Sequence, residues 1–82
     1  MESKIKVYGT TWCGDTRRAR SIFQSEGIDY EWIDIASDPE ASAFVERVNN
    51  GYRSVPTIVF PDGDILVEPA VTALSEKLRA LR

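Results

Sequence analysis

The chain has 82 residues, 43% hydrophobic and 28% charged, with a formal net charge of −3. That balance supports a packed core, argues against compositional disorder, and excludes a basic surface that tracks nucleic-acid phosphates. With no histidine and one cysteine, Cys13, the chain has no Cys/His metal site, no Cys-His or Ser-His pair and no internal disulfide.

A single domain spanning residues 1–82 is expected, and so small a domain buries only a little over ~60% of its unfolded surface. The opening MESKIKVYG holds no long apolar segment, and no stretch approaches the ~18 apolar residues of a membrane span. A cytoplasmic chain with neither a membrane nor a nucleic-acid partner, acting as a monomer, is the expectation.

In chain order, Lys4 to Tyr8 alternates polar and apolar residues at the strand period. After it, Ala19, Ile22 and Phe23 share one helical face while Arg17, Arg18 and Arg20 can lie toward water, so a first helix starts near Cys13. Gly27 stands where a left-handed helix C-terminus favours glycine. Asp29 to Ile35 is rich in aromatic and β-branched residues and reads as a second strand, with Ile33 and Ile35 buried. Ser37-Asp38-Pro39-Glu40 announces a second helix: Asp38 can cap it, Pro39 suits its first turn, and Ser37 with Glu40 has capping-box spacing. Its buried stripe is Ala41, Phe44, Val45 and Val48, and Asn49-Asn50-Gly51 ends it.

Thr57 to Phe60 forms a third strand, and Pro61 to Asp64 a tight turn into Ile65-Leu66-Val67, making a hairpin. Pro69 opens a last helix with Val71, Leu74, Leu78 and Leu81 on its apolar face and Lys77, Arg79 and Arg82 near its C-terminal end. The order β-α-β-α-β-β-α predicts an α/β fold, a four-stranded mixed sheet with helices on both faces.

This order puts Cys13 after the first strand and at the N-terminus of the first helix, where unpaired N–H groups and the helix dipole favour thiolate over thiol. Gly14 keeps the approach open. Trp12 either walls the sulfur or seals the end of the sheet. Asp15 opposes ionisation by charge repulsion, which Arg17, Arg18 or Arg20 offsets if one turns back toward the site. Thr16, one turn on, can donate its hydroxyl to the sulfur or serve as an ordinary first-turn residue. Pro56 precedes an otherwise regular strand. If its bond to Val55 is cis, Val55 offers its N–H and C=O to an extended partner.

Three segments together resemble the glutaredoxin family of the thioredoxin fold, most closely the short mycoredoxin type. They are VYGTTWCG, the DIxxxxxAxxFVxxVNxG pattern from Asp34 to Gly51, and GYRSVPTIVFPDG. The resemblance implies that Cys13 is a nucleophile and that Val55-Pro56 forms a cis-proline platform. It further implies that Arg53, Val55, Pro56, Val67 and Glu68 contact a small thiol, mycothiol or glutathione, used as co-substrate with no permanently bound cofactor. Where the mycoredoxin pattern is C-G-Y-C, this chain reads C-G-D-T, with Thr16 in place of the second cysteine. A monothiol cycle on mixed disulfides of proteins with the small thiol is the implied activity. Thr16 keeps the hydroxyl of the C-G-F-S pattern of cluster-carrying relatives, but a carboxylate at Asp15 is ill suited to an anionic 2Fe-2S cluster. A redox-inactive binding module is the alternative, motivated by Asp15 and the missing cysteine.

Overall fold

A computed structural model describes residues 4–81. Its elements are β1 (Lys6–Gly9), α1 (Gly14–Glu26), β2 (Glu31–Asp34), α2 (Pro39–Val48), β3 (Thr57–Val59), β4 (Ile65–Val67) and α3 (Val71–Ala80). The sheet order is β2-β1-β3-β4. β1 runs parallel to β2, with Tyr8 opposite Ile33, and antiparallel to β3, with Val7 opposite Ile58. β3 and β4 close the hairpin, Ile58 facing Leu66. The mixed α/β sheet expected from the sequence is therefore present.

Strand alternation divides the core in two, because successive side chains leave opposite faces of the sheet. Val7 points to one face, where Ala19 and Phe23 of α1, Ile58 and Phe60, and Leu74 and Leu78 of α3 bury together. Tyr8 points to the other, where Ile35 and the α2 residues Ala41 and Val45 enclose it and Phe44 stacks on its ring at 4.9 Å. Helices thus cover both faces, α1 and α3 on one and α2 on the other.

The strands are shorter than their sequence signals. β2 stops at Asp34 because as an edge strand it pairs only with β1, and the ladder ends where β1 ends at Gly9. Ile35 is buried just beyond it, while Ile33 is only half-buried. Phe60 likewise lies one residue past β3 yet is buried.

Helix ends account for the other differences. Asp38 caps α2, accepting the Ala41 N–H at 3.1 Å, with Pro39 as the first helical residue. The Ser37 hydroxyl instead donates to the Asp34 carbonyl at 3.3 Å, so Asp38 alone serves as the cap. Val48 is exposed, because the inner end of α2 is closed by the Asn49 side chain, which donates to Val45 O at 2.8 Å and Thr57 Oγ1 at 3.1 Å. α3 starts two residues after Pro69, and only its middle positions Leu74 and Leu78 are buried; Val71 and Leu81, at its two ends, are exposed. Lys77 is directed to the hairpin turn, meeting Asp62 at 2.8 Å and Asp64 at 3.1 Å, whereas Arg82 lies outside the described residues. Gly27, at φ 69, ends α1 by donating to Gln24 O, and Ile28 N–H reaches Phe23 O. Arg20 is half-buried rather than solvated, lying 4.1 Å above the Trp32 ring and donating to the Tyr30 hydroxyl. No helix of the described residues is long and apolar enough to cross a membrane.

Denaturant unfolding checks this account. Asp38→Ala is expected to lose about 0.5–2 kcal/mol, most of it restored by Asn, which can accept the same N–H. Leu78→Ala, which empties space between α3 and the sheet, is expected to lose about 2–5 kcal/mol.

Candidate active site

β1 ends at Gly9 and the chain turns at once, the Cys13 N–H reaching back to Thr10 O at 3.4 Å. Cys13 is the N-cap residue of α1, extended at φ −81, ψ 122, and its own carbonyl accepts the Arg17 N–H at 3.0 Å. No side chain caps this helix, so its first N–H groups face the sulfur unshielded. β3 runs antiparallel to β1, so the end of β1 and the start of β3 lie at the same edge of the sheet. That register carries Val55 to Cys13, whose Sγ lies 3.9 Å from Val55 O, and the Val55–Pro56 bond is cis. The loop is held from below by Thr57, whose hydroxyl donates to Ser54 O at 2.7 Å and accepts from Asn49.

The thiol is more acidic than an ordinary cysteine. Burial pushes it up, but the Thr16 hydroxyl and the backbone N–H groups of Thr16 and Asp15, at the helix start, favour the thiolate and outweigh that cost. The Asp15 carboxylate opposes them as a smaller effect. Asp15 is itself held by Arg18 at 2.6 Å, both side chains being more than half exposed. Arg17 turns toward the loop and donates to Thr11 O at 3.2 Å, while Arg20 packs away from the site on Trp32. Charge repulsion from Asp15, a concern in the sequence, therefore does not reverse the effect of the helix terminus.

Beside the sulfur runs an open groove of about 660 Å³ lined by Thr10, Trp12, Cys13, Ile35, Ala36, Arg53 and Val55. Trp12 is 70% exposed, which makes it a wall of this groove rather than a seal on the sheet. Gly14 is exposed, and a Cβ there would touch nothing, so glycine leaves the surface beside the sulfur bare. Arg53 enters the groove with its Nε 3.1 Å from Glu46 Oε2. Pro56 is fully buried behind Val55, and its carbonyl accepts the Glu68 N–H at 2.9 Å. Val67 pairs with Thr57 at the end of β4. Glu68, with a left-handed φ of 46, lines a separate cavity of about 250 Å³ between α1 and the start of α3, together with Asp15, Arg18 and Pro69. The structure thus gathers Trp12, Cys13, Arg53 and Val55 around one groove and places Val67 and Glu68 on the adjoining side of Pro56.

Thr10, Ile35 and Ala36 line the groove without having been singled out for it in the sequence. Ile35 reads there only as a buried strand residue, and nothing in the type of Thr10 or Ala36 marks a binding surface. Their common feature is position, directly after β1 and β2 at the same edge of the sheet.

A four-stranded mixed sheet flanked by three helices, with a cysteine at the first helix N-terminus opposite a cis-proline, defines a thioredoxin-like fold. The Glutaredoxin family profile matches residues 5–66, and the chain belongs to the glutaredoxin family, whose activity is thiol-disulfide exchange. It is 36% identical over 78 residues to a Mycobacterium tuberculosis chain that carries a provisional glutaredoxin name, covering 95% of this chain and 93% of that one. To mycoredoxin 1 of Corynebacterium glutamicum it is 35% identical over 80 residues, covering 96% and 98%. Among solved structures it is similar to the glutaredoxin of Archaeoglobus fulgidus, with TM-score 0.74 and 27% identity over 94% of this chain and 87% of that one. The thioredoxin-like protein BC3987 gives TM-score 0.77 and 25% identity over 92% and 99%.

The pH dependence of Cys13 alkylation is expected to show a midpoint below that of a free cysteine, and Asp15→Asn to move it lower still, with the difference shrinking in high salt. The folded chain holds this thiol more acidic than the unfolded chain does. Ionised Cys13 therefore adds stability above the ordinary thiol value, and that stability is lost as pH falls through the lowered one.

Proposed function

We propose that this protein is a monothiol oxidoreductase that uses Cys13 to reduce mixed disulfides formed between proteins and a small thiol, mycothiol or glutathione. The observation that carries the reading is the Cys13 sulfur itself: acidified, open to a groove, and without a second cysteine anywhere in the chain. Thiolate is the attacking species in disulfide exchange, so a sulfur more acidic than an ordinary thiol is suited to the role.

In the first step the Cys13 thiolate attacks the small thiol's sulfur in the mixed disulfide. A new bond forms to Cys13, the old S–S bond breaks, and its electron pair leaves with the protein sulfur, which takes up a proton. In the second step a further molecule of the small thiol, as thiolate, attacks the sulfur now bound to Cys13. The small-thiol disulfide departs and the Cys13 thiolate is restored. Overall one mixed disulfide and one thiol become one protein thiol and one small-thiol disulfide. Thr16 has no sulfur with which to resolve the intermediate internally, so the second step depends on thiol concentration.

Val55 would align the incoming disulfide through its backbone beside Pro56, with Trp12 and Arg53 as the groove's apolar wall and polar end. Val67 and Glu68 would contact the part of the small thiol that extends past Pro56 toward α3. The alternative of a redox-inactive binding module rests on Asp15 and the missing second cysteine; it has less support because the Asp15 charge is paired with Arg18 and outweighed at the sulfur, and a single cysteine equally suits a monothiol cycle.

Incubation with peptide mixed disulfides of mycothiol and of glutathione, followed by intact mass, provides the test. One small-thiol adduct per chain is expected with the preferred thiol, released by more of that thiol and absent in Cys13→Ser. Failure to form an adduct with either would remove the oxidoreductase reading.

A further inference from the structure

Among the described residues, two buried side-chain polar atoms lack a hydrogen-bond partner of ordinary geometry, the hydroxyls of Thr10 and Thr16. Thr16 has no exposed surface. A buried hydroxyl left unsatisfied costs stability that a valine of nearly the same shape would not. The charge that the Thr16 hydroxyl favours is that of the Cys13 sulfur, one helical turn earlier. Side chains of a helix tilt toward its N-terminus, so a residue in the first turn points back at the N-cap.

Gly9, the last residue of β1, shows what holds Thr16 in that orientation. A Cβ on Gly9 would stand 2.5 Å from Thr16 Cγ2 and 2.8 Å from Thr16 Oγ1, closer than real Cβ contacts occur. The Gly9 backbone is outside the left-handed region, so glycine is needed there for space and not for conformation. The strand and the helix meet at this point, and the side chain that fills the contact belongs to Thr16.

We propose that Gly9 and Thr16 act together as positioning residues: the bare Cα of Gly9 seats Thr16 so that its buried hydroxyl is aimed at the Cys13 sulfur and donates to it as a thiolate. The second cysteine of dithiol relatives is thereby replaced by a donor that cannot attack, and its orientation is set from the sheet. Gly9 thereby controls the nucleophile through Thr16, from outside the residues that line the groove. The proposal rests on the reading of Cys13 as the reacting thiol, and it extends that reading to the residues that tune it.

The experiment is the pH profile of alkylation of the free protein by iodoacetamide, which requires no disulfide substrate and so remains decisive if the oxidoreductase reading fails. Thr16→Val is expected to cut the thiolate fraction near neutral pH about tenfold, the effect of one hydrogen bond to a charged acceptor, while Thr16→Ser keeps it near wild type. Gly9→Ala is expected to reproduce the Thr16→Val profile. Because that clash can also unfold the chain, Gly9→Ala is compared in a Thr16→Ala background, where the two nearest atoms are gone and only the residue 16 Cβ, at 3.2 Å, stays close. There it is expected to leave the Thr16→Ala profile unchanged and to lower the melting temperature far less than it does beside Thr16. An unaltered profile in Thr16→Val would overturn the role of the hydroxyl. A further loss of thiolate from Gly9→Ala in the Thr16→Ala background would overturn the coupling of the two residues.

Discussion

The antiparallel pairing of β1 with β3 is the constraint on which the site depends. Because these two strands run in opposite directions, the C-terminal end of one and the N-terminal start of the other fall at the same edge of the sheet. Cys13 follows β1 by four residues and Val55 precedes β3 by two. Neither segment makes a groove alone. Had β3 paired in the parallel sense, as β2 does, Val55 would lie at the far end of the sheet from the sulfur. The register is in turn held by burial on both faces, since a slip of one residue would carry Val7 and Ile58 out of one core and Tyr8 out of the other.

Around Cys13 several modest effects of opposite sign compete. Burial disfavours the charge; the amide N–H groups at the start of α1 and the Thr16 hydroxyl favour it; Asp15 disfavours it again. The donors prevail because they belong to the helix turn that starts at Cys13, whereas the Asp15 carboxylate is exposed to water and held by Arg18. Local geometry outweighs formal charge here. A site with an acidic neighbour and no second cysteine thus still favours the thiolate over the thiol.

The order of elements along the chain and the three helices were legible in the sequence because each rests on a local signal. Period-two alternation marks Lys4 to Tyr8, Asp38-Pro39 marks the start of α2, and Gly27 marks the end of α1. Element limits were less legible. Ser37 reads as half of a capping box and bonds to Asp34 instead; Val48 and Val71 carry the right periodicity but sit at helix ends with no sheet above them. Periodicity says which face of a helix turns inward, and says nothing of how far along that helix the neighbouring layer extends. At the site, Cys13, Trp12 and Val55 were marked by type and motif, whereas Thr10, Ala36 and Gly9 were not, because their significance lies in what stands across from them.

By itself the sequence determined the composition of the chemistry: one sulfur, no histidine, a hydroxyl where a second sulfur would stand, and the order of elements that puts the sulfur at a helix start. Those are covalent and local facts, decided within a few residues of chain. Tertiary structure alone decided that Trp12 stands as a wall in water, that Val55 faces the sulfur, and that Gly9 leaves room for Thr16. Each of these is a distance between groups whose separation depends on how strands pair and layers pack, and such a distance exists only once the chain has folded.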